Sequence, residues 1–254
     1  MRNTKSRNIL MLVEGKKTEV KLFQKILSCF PEIQMNPENI LVYNTNIWAL
    51  NKSLMSVFGE EWYLAEDIEL IEFLESLDDS IRGKKITDIF LVFDYERQDP
   101  LFDGKILEQM LRFFHNSTEN GQLYLNYPMI ESYKHLKKPF PDQEYLNRKC
   151  ACGALLDYKS IVNQETSFMD VRRLEKEDLK QLVIHHLCKA SYMINERDDI
   201  SLENALQYCA RIDYDEILQI QNQCATNTDG YVQVLCTCLF FVVEYNKKLL
   251  FDQI

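Results

Sequence analysis

Hydrophobic and polar positions follow two periods in the first half of the chain. Asn8 to Val13 is an apolar run (N-I-L-M-L-V) closed by Glu14-Gly15. Thr18 to Phe30 follows, with Val20, Phe23, Ile26, Leu27 and Phe30 at helical spacing, which predicts strand, tight turn and helix. Asn39 to Asn46 reads as a second short strand, and about 50–80 as a helical insertion. Asp88 to Phe93 (D-I-F-L-V-F) is a third strand, apolar enough to be covered on both faces as in a parallel sheet. Lys105 to His115 has helical spacing, and Gly121 opens a fourth strand, Gln122 to Tyr127. Strands alternating with helices predict an α/β domain over 1–138, with a mostly parallel four-stranded sheet flanked by helices. Its active edge is expected at the strand C-termini.

The pattern changes at Pro139-Phe140-Pro141, which interrupts regular structure. Asp170 to Ile194, Ser201 to Arg211, Asp213 to Cys224 and Tyr231 to Leu250 carry helix-like periodicity, with Ser201 placed as an N-cap. The expectation for 139–254 is therefore an all-helical C-terminal domain without strands.

Charge changes the picture more by its placement than by its total. The chain has 254 residues, 29 Lys+Arg and 39 Asp+Glu, a formal net charge of −10. Glu60 to Asp79 holds nine acidic residues and no basic one, so the remainder is nearly neutral. Within that segment Glu66, Glu69, Glu72 and Glu75 recur every third residue, with Ile68, Ile71, Phe73, Leu74 and Leu77 as the apolar side of an amphipathic helix. A solvated helix face accounts for this pattern; partner docking is the alternative. Basic residues gather elsewhere: Arg2, Lys5, Arg7, Lys16, Lys17, Lys21 and Lys25, then Arg82 to Lys85, then Lys134, Lys137, Lys138, Arg148 and Lys149. A low isoelectric point thus does not exclude a phosphate-backbone ligand.

The longest apolar stretch, Val234 to Val243, is ten residues, against the roughly 20 that cross a bilayer. The apolar run after the basic N-terminus is too short for a signal peptide, so no membrane association and a cytoplasmic location are expected. The eight cysteines lie largely in apolar patterns and read as reduced, mostly buried thiols; Cys150-Ala-Cys152 and Cys236-Thr-Cys238 lack the usual zinc spacing.

Two acidic sites close apolar strands: Glu14 after the first, and Asp94 with Glu96 after the third. Asp94 and Glu96 are one residue apart, so in extended chain they point the same way and suit a hard cation such as Mg²⁺ or Mn²⁺. Turn or capping roles are the ordinary alternative for each acid alone. A third segment, Asn126-Tyr-Pro128-Met-Ile-Glu131-Ser-Tyr-Lys134-His135, follows the fourth strand. There Glu131 is placed to hold a second metal or position water, and Lys134 or His135 to meet a phosphate; capping or salt-bridging the next helix is the alternative for Glu131.

Ile9-Leu-Met-Leu-Val-Glu14-Gly15-Lys-Lys-Thr18-Glu19 followed by Leu91-Val-Phe-Asp94-Tyr-Glu96 resembles the Toprim superfamily. That superfamily includes topoisomerases, primases, small ribonucleases and the overcoming-lysogenization-defect (OLD) nucleases. The V-E-G-x-x-T-E form looks most like small OLD-like and RloB-like phage-defence effectors. The resemblance covers residues 8 to 135 and implies that Glu14, Asp94 and Glu96 organise Mg²⁺ or Mn²⁺ for phosphodiester chemistry. Glu131 is carried over as a further catalytic residue, and Lys16, Lys17 and Lys134 are the phosphate-contacting candidates. Glu96 departs from the usual second Asp by one methylene, and the P-x₂-E-x₃-H spacing is shorter than the family texture.

No P-loop, dinucleotide fingerprint, nucleophile elbow or H-E-x-x-H motif occurs. His185-His186 are adjacent on a helix, about 100° apart, and read as structural. The resemblance therefore implies a metal-dependent nuclease acting on DNA or RNA, and an antiviral abortive-infection effector. Rival readings are a non-catalytic Toprim-like scaffold that docks a partner, and a Mg²⁺ protein acting on a small phosphorylated substrate. The resemblance further implies an ABC-type (Rad50-like) ATPase partner, and the helical C-terminal half is the expected docking or homodimerisation surface.

Overall fold

The computed structural model describes residues 7–66 and 68–251. Arg2 and Lys5 of the N-terminal basic cluster, and Asp67 of the acidic segment, lie outside the described residues. The first half runs β1 (Ile9–Val13), α1 (Thr18–Cys29), β2 (Ile40–Val42), α2 (Ile47–Phe58), α3 (Leu70–Leu77), β3 (Asp88–Asp94), α4 (Gly104–Phe113), β4 (His115–Asn116) and β5 (Gly121–Tyr127). The second half adds β6 (Lys149–Ala151), α5 (Tyr158–Glu165), α6 (Lys176–Asn195), α7 (Leu202–Tyr208), α8 (Tyr214–Thr226), β7 (Tyr231–Gln233), β8 (Leu235–Cys236) and α9 (Phe241–Tyr245).

The expected α/β character and mostly parallel sheet are present. The strands lie in the order β2-β1-β3-β5-β4, with β2, β1, β3 and β5 parallel and β4 antiparallel. Every residue of β1, β3 and β5 is buried, which explains why these strands read as apolar runs rather than alternating patterns. Gly121 has φ of +101°, and a Cβ there would sit 2.8 Å from Leu91 Cδ1, so glycine is required where β5 begins.

The sheet has six strands rather than four, and the C-terminal region is not all-helical. Strand β8 pairs antiparallel with the end of β5, Asn126 opposite Cys236 and Tyr127 opposite Leu235. Strands β6 and β7 form a separate two-stranded ribbon. Periodicity had placed Tyr231 to Leu250 in one helix. Only Phe241–Tyr245 is α-helical there, because Val232, Val234, Leu235 and Cys236 are buried by strand partners distant in sequence. The next ring, Phe241, packs edge-on against Phe90 of β3 and Phe23 of α1, at centroid distances of 5.0 and 6.0 Å.

Helices α6, α7 and α8 pack together behind this layer. Ser201 does cap α7, its hydroxyl accepting the Asn204 N–H at 3.0 Å. The acidic helix is shorter than its periodicity suggested. Helix α3 begins at Leu70, so Glu66 and Ile68 precede it, and Leu77 is exposed while Leu70, Phe73 and Leu74 face the core. All eight cysteines are free thiols, five of them buried. No described helix is long and apolar enough to cross a membrane.

Candidate metal centre at the sheet edge

Parallel pairing brings the strand ends together. Val13 is in register with Val92 and Asp94 with Asn126, so Glu14, one residue past β1, lies beside the end of β3. The Glu14 N–H continues the ladder to Val92 O at 3.1 Å. In return Glu14 Oε2 accepts the Asp94 N–H at 3.1 Å. Asp94 Oδ1 accepts the Ile130 N–H at 2.7 Å, which ties β3 to the segment after β5. Glu96 Oε2 accepts from Gln98 Nε2 at 3.0 Å. Each carboxylate is thus oriented through one oxygen, leaving the other for a cation.

One ligand oxygen from each of Glu14, Asp94 and Glu96 lies within 4.8 Å of the others, the one such group of His, Cys, Asp or Glu among the described residues. Octahedral Mg²⁺ at about 2.1 Å from each oxygen would separate its ligands by roughly 3 to 4 Å, so small side-chain rotations close the set. An all-oxygen donor set fits Mg²⁺ or Mn²⁺ and not a thiophilic ion. Glu96 reaches the cluster by a different route from simple strand alternation. Its φ is +49°, a left-handed turn that brings the longer carboxylate back over the sheet edge.

The V-E-G-x-x-T-E segment has a local explanation. Glu19, in the first turn of α1, is buried and accepts the Gly15 N–H at 3.0 Å, closing the turn that presents Glu14. A Cβ on Gly15 would meet both Glu19 carboxylate oxygens at 3.0 Å, so a side chain here would press on the carboxylate that closes the turn. Thr18 Oγ1 donates to Glu131 Oε1 at 3.4 Å, linking the α1 turn to the 3₁₀ turn Ile130–Lys134.

Burial and mutual repulsion disfavour negative charge on the cluster. Burial pushes the Glu14 carboxyl up to about 8, with repulsion from Glu96 and Glu19 adding to it. Burial also raises Asp94 well above the carboxylate range, reinforced by Glu14, Glu19, Glu131 and Glu96. Glu96 and Glu19 are raised chiefly by burial as well. Functional sites concentrate such perturbations.

The predicted basic residues divide. Lys16 and Lys17 are exposed on the turn beside Glu14. Lys134 is buried, and its ammonium donates to Asn163 Oδ1 at 2.8 Å, so it does not present itself to a phosphate. His135 is likewise enclosed: Tyr158 OH lies 3.0 Å from Nδ1 and Glu165 Oε2 3.2 Å from Nε2. Some members of the other basic clusters are engaged elsewhere. Lys84 donates to Asn39 at the opposite end of the sheet, and Arg148 is buried against Asp142 at 2.8 Å. Glu131 is buried, 3% exposed, and salt-bridges the next α-helix, the alternative its position in sequence allowed: Lys159 Nζ of α5 lies 2.6 Å from its Oε1. Lys159 stands alone in Asp157-Tyr-Lys-Ser, in the second half of the chain, with no motif to mark it.

No protein-family model matches the chain, and neither the curated proteins nor the solved structures contain a match.

Proposed function

We propose that the protein is a divalent-metal-dependent nuclease of Toprim-like design. The observation that carries this reading is the convergence of Glu14, Asp94 and Glu96 from two strand ends onto one point, buried enough to repel one another, beside exposed Lys16 and Lys17. In this reading the three carboxylates hold Mg²⁺ or Mn²⁺. When bound, such an ion polarises a phosphodiester and stabilises the leaving oxygen. Glu19 and Gly15 fix the turn that presents Glu14, while the Ile130 N–H fixes Asp94. Lys16 and Lys17 bind backbone phosphate, and Thr18 helps to orient Glu131.

The test is cleavage of labelled plasmid, single-stranded DNA and total RNA in Mg²⁺ or Mn²⁺ and in EDTA. Wild type is compared with Glu14→Gln and Asp94→Asn. Cutting of one nucleic-acid class is expected, lost in EDTA and reduced at least about 100-fold in each variant. Cutting that survives EDTA or both substitutions contradicts the assignment. Growth arrest on expressing wild type but not the variants is the corresponding outcome in cells for an effector nuclease.

A further inference from the structure

The charge balance of the centre is uneven. Glu14, Asp94 and Glu96 form a three-ligand group, whereas Glu131 lies outside it and is bonded instead to Lys159. Lys159 does not behave as an ordinary surface ion pair, in which both partners are solvated. Its own side chain is 62% exposed, but the carboxylate it reaches is only 5% exposed.

Helix α5 holds that lysine in place. Lys159 and Asn163 are four residues apart, hence on one face, and both grip the Ile130–Lys134 turn, through Glu131 and Lys134. Tyr158 and Glu165 clasp the adjacent His135, and Val162 is buried beneath the helix. An ammonium has three N–H donors. Glu131 uses one of them, and the exposed side of the group remains for a ligand.

Resting on the metal-nuclease reading above, we propose that the centre takes one divalent ion per chain. Lys159, anchored on Glu131, supplies the second positive charge, against a non-bridging phosphate oxygen of the nucleic-acid backbone. Lys159 thereby stands where a second metal would otherwise be held. The Coulombic influence of Glu19 and Asp94 on Lys159 agrees with its lying in the field of the same cluster.

Two measurements test this on the full chain. The first counts bound Mn²⁺ by the electron paramagnetic resonance of the free ion, for wild type, Lys159→Met and Lys159→Met/Glu131→Gln. One Mn²⁺ per wild-type chain is expected, a second in Lys159→Met, and one again in the double variant. The second measurement titrates a hydrolysis-resistant phosphorothioate oligonucleotide at several salt concentrations. The slope of log affinity against log salt should fall by about 0.7 to 0.9 in Lys159→Met, the loss of one phosphate contact. Two Mn²⁺ on wild type overturns the inference and leaves the metal centre standing; none on wild type overturns both. One Mn²⁺ on Lys159→Met with an unchanged salt slope removes Lys159 from the site.

Discussion

Glu14 illustrates at the residue scale why a functional acid is unfavourable to the fold that carries it. Its carboxyl is held up to about 8 because burial and neighbouring Glu96 and Glu19 disfavour the anion. Replacing the anion by a neutral amide removes that repulsion and retains an acceptor for the Asp94 N–H. Glu14→Gln should therefore raise the metal-free unfolding free energy at pH 8 by roughly 1 to 2 kcal/mol while abolishing metal binding. Urea unfolding with and without Mn²⁺ checks both parts. A variant destabilised in the absence of metal would show that the Glu14 carboxylate serves packing or hydrogen bonding instead. Asp94 is held in the same way, but through the Ile130 N–H, so Asp94→Asn is the conservative replacement and Asp94→Ala is not.

Strand β8 and helix α6 carry the corresponding argument at the element scale. His186 of α6 accepts the Cys236 N–H of β8 at Nδ1, 2.9 Å, so Nε2 carries the proton of the neutral ring. His185 accepts the Asp142 N–H at Nε2, 2.9 Å, and donates from Nδ1 to Gln181 O at 2.7 Å. Both rings are satisfied as neutral groups, the structural role their adjacency suggested. Burial pulls His186 down from 6.5 to about 3. The unfolded chain therefore binds a proton that the folded one refuses between those values. Stability is fully present above about pH 6.5 and is lost as pH falls, by about 1.4 kcal/mol per pH unit over that window. A charged His186 has no acceptor for the Cys236 N–H. Protection factors for amide exchange at Cys236 and at its partner strand β5, corrected for the intrinsic pH dependence of exchange, should accordingly fall on acidification before those of the central strands β1 and β3 do. A uniform loss of protection across the sheet would contradict this.

Whole-molecule stability combines two opposing slopes. The buried histidines favour pH above 6.5, while the raised carboxyls of Glu14, Asp94 and Glu96 act in the other direction. For Glu14 the folded protein binds more protons than the unfolded between about 4.5 and 8, so its contribution is present at low pH and is lost as pH rises through 8. The metal-free protein should be most stable in mildly acidic solution. Because bound metal requires the ionised carboxylates, Mg²⁺ or Mn²⁺ should raise the melting temperature more at pH 8 than at pH 5.5, and not at all in Glu14→Gln. Thermal scans at the two pH values check this, and an equal shift at both would place the ion elsewhere.

The sequence by itself determined those features whose signal is local. Apolar runs longer than their polar flanks marked β1, β3 and β5 because both faces of these strands are covered, and an acid at the end of two of them marked the edge. Glycine at position 15 and the acid at 19 were legible for the same reason, since a turn and the helix it opens are set by a handful of neighbouring residues. Partnership across the chain was not legible. Tyr231 to Cys236 became strand because β6 and β5 offered edges to pair with, overriding a helical period. Lys134 looked like surface and is buried, while Lys159 looked ordinary and reaches a buried carboxylate, because helix α5 docks on the turn after β5. Even the nearness of Asp94 to Glu96, evident in one dimension, depends on a left-handed turn at Glu96. Local periodicity reports the solvent exposure of a segment; which segment covers which is decided by long-range packing, and it is packing that assembled the site.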